Sequence, residues 1–186
     1  MTGLIILGAI VLLILVFVGM YNNLVRMRNE VKNAWAQIDV QLKRRHDLIP
    51  NLIETVKGYM THERETFEAI TRARAGAVSA QASGQVGQIA QAEGQLMTAM
   101  RGFYAVAENY PQLKADANFR SLQEELTSTE NKIGFARQFY NDSVLKFNTA
   151  CETIPSNIVA NIGGFKKAEF FEIKDEGERE VPQVKF

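Results

Sequence analysis

From Leu4 to Met20 the chain reads LIILGAIVLLILVFVGM, a run without a charge, and the first charged side chain is Arg26. As a helix rising 1.5 Å per residue, this run and its uncharged flanks cover roughly 30 Å, the thickness of a bilayer's hydrocarbon core. No Lys or Arg precedes it, it is longer than the apolar core of a signal peptide, and no A-x-A cleavage site follows Gly19. No cysteine lies nearby to accept a lipid. The expectation is a retained membrane anchor over residues 1–21, with everything after it suspended from that anchor.

Flanking charge sets the expected orientation. Only Met1, Thr2 and Gly3 stand before the run, whereas Arg26, Arg28 and Lys32, then Lys43, Arg44 and Arg45, lie after it. The positive-inside rule therefore places the bulk of the chain in the cytoplasm rather than the periplasm of a bacterial cell membrane. Arg26 and Arg28 are the candidates for lipid headgroup contact, each contributing on the order of 1 kcal/mol near an anionic surface. Lys43 would lie roughly 35 Å beyond Met20 along a straight helix, past the Debye length, so Lys43-Arg44-Arg45 is expected to be a solvated, partly paired helix face.

Lys+Arg and Asp+Glu both number 21, which leaves no global basic field to attract nucleic acid. Cys151 is the sole cysteine, so an internal disulfide and a cysteine metal cluster are excluded.

Helical periodicity governs the chain beyond the anchor. Leu24, Met27, Val31, Ala34, Trp35, Ile38 and Leu42 form an apolar stripe with no glycine or proline from Met20 to Ile49. Pro50 either opens a fresh helix capped by Asp47 or kinks a continuing one. Because Ile49, Leu52, Ile53 and Val56 stay in phase with Leu42, one helix ending near Gly58 is expected.

A second helix is predicted after a Thr61 cap, through Phe67, Ile70, Ala73, Ala77 and Val78, with Ser79–Gly87 as a loop. A third runs from Val86 to Ala107 and stops at Asn109-Tyr110-Pro111. The fourth, from about Asp116 to Cys151, carries Phe119, Leu126, Ile133, Tyr140, Phe147 and Ile154 seven apart, with Leu122, Thr129, Ala136, Ser143 and Ala150 as the paired row.

The predicted fold is all-α: a transmembrane helix continuing into an antiparallel four-helix bundle over 22–153, then a short, partly extended tail over 154–186. In the tail Ser156 is expected to cap a short helix reaching Ile162. Gly163-Gly164 ends it, and Phe165, Phe170, Phe171 and Ile173 are expected to dock on the bundle, a neighbouring subunit or the membrane surface. KDEGERE reads as solvated and VPQVKF as extended.

Candidate chemistry fails on spacing. His62-Glu63 begins like H-E-x-x-H, but position 66 is Thr. Lys43 and Tyr59 stand three before His46 and His62, where a bundle di-metal site needs Glu. Cys151 reads as packed, Gly163-Gly164-Phe165-Lys166 is too short for a phosphate loop, and His46 reads as a surface histidine. No catalytic residue, cofactor, metal ligand or small-molecule substrate is identified.

One polar group stands out. Arg45 falls on the row of Leu24, Val31 and Ile38, Asp47 closely precedes Pro50, and Glu130, Arg137 and Asn141 line a face beside Tyr140. Charges so placed are expected to be paired, because an unpaired buried charge costs several kcal/mol. They either fix helix pairing and register or line a ligand site; with no nucleophile or metal ligand beside them, the structural role is favoured.

Tyr21-Asn22-x-Leu24-Val25-x-x-Arg28-Asn29, Ala34-Trp35-x-x-Ile38-Asp39-Val40-Gln41-Leu42-x-x-Arg45, Asp47-Leu48-Ile49-Pro50-Asn51-Leu52 and Glu54-Thr55-Val56 resemble the LemA family. So do Tyr110-Pro111, Leu126-x-x-x-Glu130-Asn131, Ala136-Arg137, Tyr140-Asn141 and Phe147-Asn148. The resemblance implies a bacterial membrane-anchored antiparallel four-helix bundle and brings no established activity or cofactor. The expected function is a non-enzymatic scaffold that self-assembles on the bilayer as an array, ring or cage. The alternative is a membrane-tethered sensor or small enzyme with a ligand pocket around Arg45, Asp47, Glu130 and Arg137, or an adaptor for another membrane protein.

Overall fold

The computed structural model describes residues 1–172; Ile173, KDEGERE and VPQVKF lie outside the described residues. Those described are 84% helical, in six helices, with no strand among them. They are α1 Thr2–Val56, α2 Arg64–Ser83, α3 Val86–Ala107, α4 Pro111–Ala115, α5 Ala117–Glu152 and α6 Ser156–Ile162. The apolar run and the amphipathic stripe that follows it are thus parts of a single helix. Pro50 lies exposed inside α1, and the fresh start capped by Asp47 does not occur.

The α2–α3 connection is shorter than the sequence suggests. The stretch from Ser79 to Gly87 is not a loop: α2 continues to Ser83, and only Gly84 and Gln85 separate it from α3. Small residues suggest a linker, yet Ala80 and Ala82 are among the best helix formers. Gly84, at φ +69°, ends α2 in the left-handed conformation that glycine adopts without strain. The amide of Gln81 then donates to the backbone carbonyl and the carboxylate of Asp39, at 3.2 and 2.6 Å. At the other end of α2 the cap position is Glu63 rather than Thr61, and no side chain caps it. Asp116 does cap α5, its Oδ1 accepting from the Phe119 amide at 2.9 Å. That bond first, and the Tyr59 hydroxyl second, hold its carboxyl below the usual range.

The chain divides into two compact units. One comprises Met1–Ile38 and Ala136–Phe170; the other comprises Asp39–Phe135, with Phe171 returning to it. In the second unit Ile49, Leu52 and Val56 of α1 share one core with Ile70 and Ala77 of α2. Leu96, Met100 and Phe103 of α3, Leu113 of α4, and Phe119 and Leu126 of α5 complete it. Four long helices around a common core are compatible with a four-helix bundle.

In the first unit Leu24, Val31, Ala34 and Ile38 of α1 are buried, as are Tyr140, Val144 and Phe147 of α5 and Val159 and Ala160 of α6. Trp35 meets Tyr140 edge-on at 5.4 Å. The seven-residue row of α5 is buried through Phe147 and then fails, for Ile154 is 83% exposed. On the paired row the hydroxyls of Thr129 and Ser143 donate to the carbonyls one turn back, which satisfies them without a partner helix.

The start of the tail docks on the chain's own helices. Gly163 and Gly164 close α6 in a Schellman turn. The Phe165 amide donates to the Ala160 carbonyl at 2.9 Å and the Gly164 amide to Asn161 at 3.3 Å, with Gly164 at φ +66°. Phe165 then packs edge-on against Tyr21 and Phe147, beneath the Arg28 guanidinium. Asn148 clasps the backbone of Ala168 through two 2.9 Å bonds, and the Tyr140 hydroxyl donates to the Glu169 carbonyl at 2.8 Å. Ser156 does not cap α6. Its hydroxyl donates instead to the carbonyls of Ala150 and Thr153, closing the end of α5, because a hydroxyl serves whichever orphaned backbone group is nearer.

Candidate functional site

The apolar row that carries Leu24, Val31 and Ile38 places Arg45 one heptad on, where an aliphatic side chain would otherwise sit. The guanidinium is accordingly buried, with 4% of the residue exposed. His46 is buried as well, which corrects its reading as a surface histidine: Leu42, His46 and Ile49 share one face at helical spacing. Lys43 and Arg44 remain exposed, so the basic run is a solvated face only in its first two members.

The residue that joins Arg45 and His46 is one that sequence reasoning misses. Glu93 stands on α3 in phase with Ile89, Leu96, Met100 and Phe103, and it is wholly buried. A carboxylate only accepts, so the 2.8 Å contact between Glu93 Oε1 and His46 Nε2 requires the hydrogen on Nε2. Glu93 Oε2 pairs with Nη2 of Arg45, and Arg45 Nη1 donates to Glu130 Oε2 of α5 at 2.5 Å. From α2, Arg74 Nε donates to the backbone carbonyl of His46 at 2.6 Å. Side chains of three helices, α2, α3 and α5, therefore converge on two adjacent residues of α1.

The two carboxylates are not equivalent. Glu93 is sealed, whereas the Glu130 side chain is 43% exposed. Burial first, and the Glu130 carboxylate second, push the Tyr104 phenol up to about 12. Arg45 Nε is buried and lacks a hydrogen-bond partner.

The remaining sequence candidates divide between the two units. Asp47 is exposed, whereas its neighbours Arg45 and His46 are buried. Arg137, Tyr140 and Asn141 belong to the first unit, where Arg137 and Asn141 are half-buried and Tyr140 is buried. The Tyr140 phenol is pushed up to about 12, by burial first and the Glu169 carboxylate second. A concavity of the second unit lies elsewhere, as an open groove of about 820 Å³ lined by Ile53, Met60, Arg64, Phe67 and neighbours.

The cluster can hold helices together more readily than it can act on a substrate. Both Glu93 oxygens are engaged inside the core by Arg45 and His46. Among the described residues no group of three His, Cys, Asp or Glu is placed to hold a metal ion.

The LemA family profile matches residues 34–186. The chain belongs to the LemA family. Among curated relatives it is similar to Magnetosome protein MamQ 2 of Paramagnetospirillum magneticum, 24% identical, covering 88% of this chain and 70% of the relative. It is similar also to Magnetosome protein MamQ of Magnetospirillum gryphiswaldense, 23% identical over the same shares. Protein LemA of Metamycoplasma hominis is 28% identical, covering 78% of this chain and 65% of that one. In this LemA-family chain none of the most apolar window of α1 is buried inside the structure, so it is not the core helix of a soluble domain. With these relatives, it marks a membrane-associated helical protein.

Proposed function

We propose that this LemA-family chain is a non-enzymatic scaffold, anchored by α1 in a bacterial cell membrane with its bulk in the cytoplasm, that self-assembles into an ordered array, ring or cage bracing the bilayer. The observation that carries the reading is the continuity of α1. From Leu4 to Val18 it exposes thirteen large apolar side chains, and the same helix then supplies Leu24, Val31, Ala34 and Ile38 to the core of the first unit. Leaving that run in water would cost on the order of 20 kcal/mol, so lipid is its natural cover. A continuous helix passes the anchor's tilt to the unit it helps to build, and subunits oriented alike on one surface need little affinity per contact.

Exposed aromatic surface on α5 supplies a candidate contact between copies. Phe135 is 74% exposed and Phe139, one turn on, 40%. The sealed Arg45–Glu93–His46 group supports a structural role for the polar cluster, because none of it is open to a ligand. The test is the mass of the full chain extracted in mild detergent, measured by light scattering across a concentration series. Particles of many subunits are expected. Uniform monomers at the highest concentration would refute self-assembly.

A further inference from the structure

α6 is too short to form a core of its own, yet it turns an apolar face outward. Val159 and Ala160 are buried, while Ile158 is 56% exposed and Ile162, one turn on, 71%. Ile154, just before the helix, is 83% exposed. Among the described residues outside the anchor the other exposed large aliphatics, Val40, Val78 and Leu145, stand far apart in the chain, whereas these three isoleucines fall within nine residues.

Their place in the first unit says what covers them. The Schellman turn binds the end of α6 to Phe165, whose ring lies 5.5 Å from that of Tyr21. Tyr21 is the first residue after the apolar run. Arg28 also lies over the Phe165 ring, with Cζ 5.1 Å from the ring centre. The segment therefore sits beside the first two turns of α1 beyond the anchor. An aromatic pair with basic residues around it is the composition of a membrane–water interface. Arg26, Arg28, Lys166 and Lys167 are all exposed here; Glu152, paired with Lys167, is the acidic partner.

We infer that α6 is a second membrane contact: Ile154, Ile158 and Ile162 insert into the headgroup–acyl boundary of the same leaflet from which α1 emerges, and the basic residues around Phe165 face anionic headgroups. Interfacial helices bury an apolar face to a depth of about 5–10 Å, which suits side chains one or two turns from the end of an anchor. Two attachment points restrain rotation of the first unit about the anchor axis, which one helix cannot do. The inference rests on the anchoring reading of α1.

The experiment uses the full chain in a Cys151→Ser background, reconstituted in phosphatidylcholine–phosphatidylglycerol vesicles with or without spin-labelled lipid. An environment-sensitive fluorophore is attached through Ile158→Cys, through Ile162→Cys as an independent position, and through Ile10→Cys as a report on the anchor. Labels at 158 and 162 are expected to lose at least half as much emission to the lipid quencher as the label at 10, and to resist aqueous iodide. Quenching at 10 with none at 158 and 162 overturns the inference and leaves the anchor standing. Shielding from iodide without lipid quenching shows that protein, such as a second copy, covers α6, and overturns it too. Absence of quenching at 10 removes the anchor and this inference together.

Discussion

Replacing Arg45 with Met tests whether the buried cluster holds helices together. The side chain is 5% exposed and its partner Glu93 not at all. Removing the cation leaves a carboxylate inside the core with His46 as its one remaining partner, and breaking a buried pair in this way costs about 3–5 kcal/mol. Against a total stability of about 5–15 kcal/mol that is a large fraction. At about 2–4 °C per kcal/mol for a chain of this size, the melting temperature should fall by roughly 10 °C.

The same geometry predicts a contrast. Glu130 meets the other arm of the guanidinium with its side chain 43% exposed, so Glu130→Gln should cost under about 1 kcal/mol. The double variant Arg45→Met/Glu93→Leu, which removes both buried charges, should recover most of what Arg45→Met loses. The assay is urea unfolding of the full chain in mild detergent, monitored by circular dichroism at 222 nm. Arg45→Met within about 1 kcal/mol of the parent would refute the reasoning, as would a double variant no more stable than the single.

Gly163→Ala should loosen the tail: an added Cβ would lie 2.6 and 2.9 Å from ring atoms of Phe165 and 3.1 Å from the Val159 carbonyl. A loss of about 1–3 kcal/mol and faster amide exchange at Ala168 are expected. Alkaline titration should show two late phenols. Tyr104 and Tyr140 ionise near 12 when folded and near 10 when unfolded, so their contribution is complete below pH 10 and lost as pH rises toward 12; absorbance at 295 nm and unfolding in parallel check this. Asp116 has the opposite sign: its carboxylate, held low by the Phe119 amide, should keep capping α5 until pH falls below the usual carboxylate range, and Asp116→Ala should speed exchange of the Phe119 amide at neutral pH. Phe135→Asp should reduce the mass of detergent-extracted particles without lowering the melting temperature, since the side chain is 74% exposed.

Repetition is what makes part of this fold legible in the sequence. The anchor, the α1 stripe and the α5 row at Phe119, Leu126, Ile133, Tyr140 and Phe147 announce themselves because large apolar residues recur at a fixed period. Features decided by partners distant in the chain escape. Glu93 is 47 residues from His46 and 48 from Arg45, and a search for Glu three residues from His cannot find it. The serine at 156 and the small residues of the α2–α3 connection mislead for a related reason: their local chemistry permits two outcomes, and packing chooses between them. Phase is the clue that could have found the buried carboxylate. Glu93 occupies an aliphatic place in the α3 stripe just as Arg45 does in that of α1, and each irregularity accounts for the other.

That reciprocity bears on what the cluster does. A buried ion pair adds little net stability over a well-packed apolar pair, because desolvation cancels most of the attraction. Its effect is on the alternatives. Turning α1 or α3 by one residue, about 100°, would leave a carboxylate or a guanidinium in the core without its partner, whereas aliphatic side chains would simply repack. The three charges of Arg45, Glu93 and Glu130 thus tie α1, α3 and α5 to one register. Arg45→Met/Glu93→Leu should therefore keep its melting temperature yet broaden the distribution of assembled particles, since subunits must share one register to pack alike. A double variant whose particles stay as uniform as the parent's would show that register is set by the apolar rows alone.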